Sequence, residues 1–213
     1  MDTCRWRVFR ELLPGLYHWQ AFNSYIKHNV DSYYARLDSA VLIDPMEPDE
    51  GLDWFGQHHP PTHIYMTNRL HDRHCQRYMD RYGVTVWCHC DSLHEFADGS
   101  LKVNSFEHGD ELPGGVRAIE VAVLCPEETA FLLPVEAGVL AIGDALIRWD
   151  GKIGFVPDPL LGDHPPAIRA GIRDAFMRIC ADYEFDHLIF AHGEPLIGGG
   201  KAALQSYLQT VKG

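Results

Sequence analysis

The chain lacks three features that would narrow its role at once. No run approaches the roughly 20 apolar residues that span a bilayer, and the N-terminus, MDTCRWRVFRELLPG, carries charges where a signal peptide needs an apolar stretch. The six cysteines, Cys4, Cys75, Cys88, Cys90, Cys125 and Cys180, are scattered without the paired spacing of a disulfide framework. Positive charge is scarce: 18 Lys and Arg against 30 Asp and Glu leave a formal net charge of −12, a field that repels phosphate backbones and anionic lipid. The expectation is a cytoplasmic protein with reduced thiols, no nucleic-acid partner and no membrane partner.

What is present fits an ordinary globular chain. With 213 residues and a hydrophobic fraction of 46%, a single domain over 1–213 can bury a substantial core. Thirteen histidines give weight to metal or acid–base chemistry. The CHC at 88–90 is a weak metal signal, because a strand there puts Cys88 and Cys90 on one face and His89 on the other.

Periodicity divides the chain into strands and helices. GLYHWQAFNSYIKHNVDSYYARLDSAVLIDP reads as three or four antiparallel strands with turns near Asn23, Asn29–Asp31 and Asp38–Ser39, and AVLIDP is apolar enough to be buried on both faces. A short helix at PDEGLDWFGQHHPP, the strand THIYMTN, a helical period over 72–82, the strand VTVWCHC and a short helix DSLHEFA follow. LKVNSF, VRAIEVAVL, TAFLLP and GVLAIGDALI are strand-like. PPAIRAGIRDAFMRICADY is an amphipathic helix, FDHLIFAHG a strand and GGGKAALQSYLQTVKG a closing helix. Each half runs strands first and then strand–helix alternation. Two mixed sheets face to face with helices outside, an α/β protein of αββα layering, would bury all of it.

Five landmarks in this order carry a resemblance over nearly the whole chain: NSY…AVLIDP, TNRLHDRH, LCPEETAFLL, GVLAIGDAL and HLIFAHGEP. The chain resembles the metallo-β-lactamase fold superfamily. The resemblance implies loops at the strand ends that hold one or two metal ions, commonly zinc, to activate water. It also implies a His-x-His-x-Asp-His motif, a later turn histidine, a Gly-Asp aspartate and a terminal His-Gly histidine. Laid on this sequence, the histidine positions fall on Asn68, Leu70, Arg73 and Leu124, so four of seven ligands are missing and Asp72, Asp144 and His192 remain.

Two carboxylates and an imidazole at one mouth require a cation, since an unpaired buried charge costs roughly 3–5 kcal/mol. Three solutions stay open. One weakly bound metal (zinc, manganese or iron) sits on Asp72, Asp144 and His192. Alternatively, Arg73 replaces the metal, its guanidinium forking onto the carboxylates with Leu70 and Leu124 facing the emptied subsite. In the third, the region is structural, with Asp72 capping the following helix. His71, His74 and Arg73 are the catalytic candidates, the histidines because their loop borders the cleft and their ordinary pKa is near 6.5. The apolar loop GFVPDPLLGDHPP at 154–166 is a lid, a contact between subunits of a homo-oligomer, or simple packing. Function follows the same fork. The chain is a metallo-hydrolase-like protein with a degenerate centre that binds a small-molecule ligand, a single-metal hydrolase of esters, lactones or thioesters, or an assembly or regulatory subunit with a vestigial cleft.

Overall fold

In a computed structural model, residues 9–211 are described. Alternating burial along the strands builds two sheets, each with two apolar faces. The first has seven strands in sequence order: β1 (Arg10–Leu13), β2 (Leu16–Asn23), β3 (His28–Arg36), β4 (Ala40–Ile43), β5 (His63–Tyr65), β6 (Thr85–His89) and β7 (Asn104–Phe106). β1 to β4 are antiparallel, and β4 to β7 are parallel. The second takes β8 (Glu111–Leu112), β9 (Val116–Glu120), β10 (Thr129–Leu133), β11 (Val139–Ile142) and β14 (His187–Phe190), in the order β14-β11-β10-β9-β8. β12 (Ile147–Trp149) and β13 (Lys152–Gly154) form a separate hairpin.

The period of two decides which layer each side chain joins. Tyr33, Ala35, Val41, Ile43 and Tyr65 face Phe131, Leu133, Val139, Ala141 and Ile189 between the sheets. Tyr34, Leu42, Ile64, Val86 and Cys88 point outward onto α1 (Asp53–His58) and α2 (Cys75–Tyr82), where Trp54, Phe55, Cys75 and Tyr78 meet them. On the far side Leu140, Ile142, Leu188 and Phe190 pack on α3 (Pro165–Asp182) and α4 (Gly200–Thr210) through Ile172, Phe176, Ile179 and Leu204. Three cores separate four layers, the expected αββα architecture.

Several expectations are corrected. Asn29–Asp31 is no turn; β3 runs straight through it, and the chain reverses at residues 24–27. The helix read over 72–82 begins only at Cys75, because a separate 3-10 turn occupies Arg69–His71. DSLHEFA is also 3-10, from Cys90 to Phe96. The 154–166 loop spends most of its apolar residues on packing: Leu161 is buried and Phe155 lies against the same outer core, 5.6 Å from the Tyr207 ring, while Leu160 is exposed. Among the described residues no helix is long and apolar enough to cross a membrane.

Phe131 is fully buried between the sheets, its ring 5.5 Å from Tyr65 and 5.6 Å from Phe106. Phe131→Ala should lower stability by about 3–5 kcal/mol in urea denaturation, and Tyr25→Ala, at a 93% exposed turn, by less than about 0.5 kcal/mol. Equal effects would contradict the layer assignment.

Candidate functional site

The carboxyl ends of two parallel strand pairs, β4/β5 and β11/β14, meet where the sheets join, as open α/β sheets place their sites. Asp44 follows β4, Thr67 and Asn68 follow β5, Asp144 follows β11 and His192 follows β14. The seam is closed by backbone: Thr129 N–H donates to Thr67 O at 2.9 Å, and Asp31 N–H to Ala191 O at 3.0 Å. Close approach also fixes a glycine here, since a Cβ on Gly143 would stand 2.6 Å from Thr67 Oγ1.

The 3-10 turn at 69–71 explains which side chains enter. Asn68 caps it, its Oδ1 accepting from Leu70 N–H at 2.9 Å. In a 3-10 helix residues i and i+3 eclipse, so Asn68 and His71 share a face and both reach Asp144. Asn68 Nδ2 donates to Asp144 Oδ2 at 3.0 Å, and His71 Nε2 stands 3.2 Å from Asp144 Oδ1. Leu70 and Asp72 turn the other way and are exposed. Asp72 Oδ1 accepts the next residue's N–H at 2.8 Å, so the structure does not bring Asp72 to Asp144 and His192. Leu70 does not face the cleft interior; Leu124 is half-buried against the outer core.

His71, Asp144 and His192 do converge, with one donor atom of each within 4.8 Å of the others. His192 Nε2 is 3.1 Å from Asp144 Oδ1. Neither imidazole contact has the directed geometry of a hydrogen bond, and the sealed Asp144 Oδ1 has no partner among the described residues. Three donor atoms gathered this closely, with no directed hydrogen bond to Asp144 Oδ1 among the described residues, suit an ion. Tetrahedral bonds of about 2.0–2.2 Å would place neighbouring donors roughly 3.3–3.6 Å apart, a little wider than the 3.2 and 3.1 Å that separate the His71 and His192 nitrogens from Asp144 Oδ1.

Behind His71 lies the fully buried Asp44, whose Oδ2 is 2.9 Å from His71 Nδ1, while Thr67 donates through N–H at 2.9 Å and Oγ1 at 2.7 Å. A carboxylate that accepts a hydrogen bond from Nδ1–H fixes the tautomer and aims Nε2 at the site. Burial works against a charge on His71, yet Asp144 and Asp44 lift its pKa to about 9. Burial would raise the Asp44 carboxyl, but His71, Arg73 and Thr67 more than offset it. Asp144 is likewise resisted by burial and is held well below the carboxylate range by His71 and His192. Without a metal, a protonated His71 would stand between the two carboxylates, Nδ1–H on Asp44 and Nε2–H beside Asp144.

Arg73 does not fork onto carboxylates as expected. Its backbone is left-handed at φ 37°, a strained choice for a residue with a side chain, which turns the guanidinium into the protein. Nη1 donates to Asp31 O at 2.8 Å and Asp44 O at 2.6 Å, and Nη2 to Ala191 O at 3.4 Å. One cation braces the middle of β3 and the ends of β4 and β14, with the charges of Asp44, Asp144 and Asp31 around it. His74 is elsewhere: its Nδ1 accepts from Glu47 N–H at 2.9 Å, in a separate hollow with Asp49 and Arg77.

Sequence reasoning missed Asp31, Asp44 and Glu128. Asp31, buried on β3, accepts from His18 Nε2 at 2.7 Å, Gln20 Nε2 at 3.0 Å and Gly193 N–H at 2.7 Å, clamping the loop that carries His192. The signal for Asp44 was the Asp-Pro closing AVLIDP; nothing local marked Asp31. Glu128 is 1% exposed, one oxygen accepting from Leu124 N–H at 3.3 Å and the other without a partner among the described residues. Burial first, then Asp144, pushes its carboxyl up to about 8.

No family model matches the sequence, and neither does any curated protein. Solved structures do match. A mutant flavo di-iron protein from Thermotoga maritima shares 14% identity at a TM-score of 0.66, over 96% of this chain and 61% of its own. A metallo-beta-lactamase from Pontibacter korlensis shares 17% at 0.68, over 95% and 98%, and a beta-lactamase domain protein from Burkholderia ambifaria 16% at 0.62, over 94% and 75%. The chain thus spans about six tenths of the flavo di-iron structure, at 61%, and nearly all of the Pontibacter enzyme, at 98%.

Two predictions follow from the charges. Arg73→Ala removes a donor from three carbonyls and leaves the aspartates without their permanent cation, so it should cost on the order of 3–5 kcal/mol in chemical denaturation, with Arg73→Lys recovering only part because it lacks the planar fork. A loss below about 0.5 kcal/mol would remove Arg73 from this role. For Glu128 the folded pKa lies above the unfolded one, so its contribution is present at low pH and lost as pH rises towards about 8. Between pH 5 and 8 the metal-free protein should lose on the order of 2–4 kcal/mol relative to Glu128→Gln. Parallel stability–pH curves for the two proteins would refute it.

Proposed function

Because the chain has the metallo-β-lactamase fold, we propose that its cleft is a degenerate, single-metal centre of hydrolase type, held by His71, Asp144 and His192. One observation carries this reading: three donors converge, and the buried Asp144 Oδ1 among them has no hydrogen-bond partner among the described residues. Two imidazoles and one carboxylate are a ligand set for zinc with an open position, or for iron or manganese. An ion there supplies Lewis acidity, lowering the pKa of a water and polarising an acyl carbonyl.

The chain's own residues divide the remaining tasks. Asp44 holds the Nδ1 proton of His71 and so keeps Nε2 free and aimed. Asn68 occupies Asp144 Oδ2 and leaves Oδ1 to the centre. Asp31 and Arg73 pin the backbone on both sides of His192. A second metal finds few donors, because Asn68, Leu70, Arg73 and Leu124 stand at the other ligand positions of the resemblance, Asn68 being committed to the turn and Leu70 to solvent. Esters, lactones and thioesters are the substrate class, since one activated water on an acyl carbon needs no second ion.

Metal-stripped protein titrated with zinc, manganese or iron should take up one equivalent at this site and melt at a higher temperature. His71→Ala, Asp144→Ala and His192→Ala should each abolish the thermal shift given by manganese. Asp44→Ala should weaken binding by about 10–100-fold without abolishing it. A folded protein whose melting is indifferent to all three ions would overturn the reading and leave His71, as an imidazolium between two carboxylates, in a metal-free cleft.

A further inference from the structure

We propose that His89, Cys90 and Asp91 form a second metal site, distinct from the cleft and selective for a thiophilic ion such as zinc. The CHC run looked unpromising as a strand, with its thiols on the face opposite the imidazole. The strand, however, ends at His89, and Cys90 opens the 3-10 turn. Cys88 stays buried in the outer core, while Cys90 swings round to the side of His89 and remains a half-buried free thiol.

One donor atom from each of the three residues lies within 4.8 Å of the others. Cys90 Sγ is 3.8 Å from His89 Nδ1 and 3.9 Å from Nε2, and Asp91 Oδ2 is 3.7 Å from Nδ1. Tetrahedral zinc with bonds of about 2.0–2.3 Å separates its donors by roughly 3.4–3.6 Å. Because Sγ is almost equally far from both ring nitrogens, neither lone pair faces it in this rotamer; the Cys90 thiol must rotate to another staggered position to share an ion with Nδ1, and the Asp91 side chain, 56% exposed, is free to follow. Asp91 N–H now donates to His89 Nδ1 at 3.2 Å. Metal binding at that nitrogen gives up this single long hydrogen bond, a small loss beside three metal–ligand bonds.

The surroundings favour a cation. A cavity of about 440 Å³ adjoins the cluster, and its charged liners, Asp91 and Glu120, are both acidic, with His108 and Cys125 beside them. His108 stacks on His89 with centroids 3.9 Å apart and planes at 23°. Nearly parallel rings do not direct their lone pairs at one point, so His108 serves as a wall and the fourth coordination place opens to the cavity. A thiolate with an imidazole and a carboxylate selects zinc over manganese or magnesium, unlike the sulfur-free set at His71, Asp144 and His192.

That difference supplies the test, which does not depend on the cleft binding anything. Cobalt(II) added to metal-stripped, reduced protein should give a near-ultraviolet thiolate-to-cobalt charge-transfer band, displaced by zinc. The band should persist in His71→Ala and Cys125→Ser, weaken at least tenfold in apparent affinity in His89→Ala, and vanish in Cys90→Ser. On the unmutated protein, zinc should slow alkylation of Cys90 at least tenfold, read by mass spectrometry, so that a poorly folding variant leaves the test intact. No sulfur band at saturating cobalt, a band lost with Cys125 and kept without Cys90, or alkylation of Cys90 indifferent to zinc would each overturn the proposal.

Discussion

Three aspartates, Asp31, Asp44 and Asp144, gather where the two sheets meet, and balancing their charge governs the local structure. Each carboxylate has its own imidazole: His18 for Asp31, His71 for Asp44, and His71 with His192 for Asp144. Behind them Arg73 adds a permanent charge that needs no proton. Water cannot screen these groups well at such depth, so each charge must be answered by a fixed one, and the fixed ones set where the strand ends stand. Asp144 alone keeps a buried oxygen without a directed partner, and that is where an ion or a proton belongs.

Arg73 answers the acids through its field and spends its hydrogen bonds on backbone. This division matters for geometry. A guanidinium forked onto Asp144 would have consumed the oxygen that the histidines face; one bonded to the carbonyls of Asp31, Asp44 and Ala191 leaves it open and ties β3 to the ends of β4 and β14. Gly193 completes the restraint, because its approach to β12 leaves no room for a Cβ, which would sit 1.9 Å from Arg148 O. His192 is thus held between Ala191, anchored from β3, and Gly193, anchored to Asp31.

The layers were legible in the sequence because alternation is a statement about burial that each strand makes alone. The site was legible only in part, for identifiable reasons. VDSYYARL has a polar Asp31 inside an apolar run, which by local rules reads as a turn; it is a strand because His18, Gln20 and Gly193 satisfy the carboxylate from elsewhere in the chain. TNRLHDRH was aligned by motif, which assigned Asp72 to the cleft, but the cap on Asn68 tightens the backbone into a 3-10 turn and exchanges Asp72 for His71. CHC failed similarly, since a strand's period was carried one residue past the strand's end. Local consistency breaks where function draws on distant partners.

The residues at the lost ligand positions are not idle replacements. Asn68 does two jobs at once, capping the turn through Oδ1 and holding Asp144 through Nδ2. Arg73 braces three carbonyls, and an imidazole there would lack both the reach and the third donor. Returning histidines to these positions would therefore remove the supports that place His71 and His192, so a second metal subsite could be gained only by loosening the first. The proposed single ion is compatible with these supports, and a second is not. The loop is thus better described as a different solution to the same burden of negative charge, with the guanidinium of Arg73 behind Asp144 and the proposed ion in front of it.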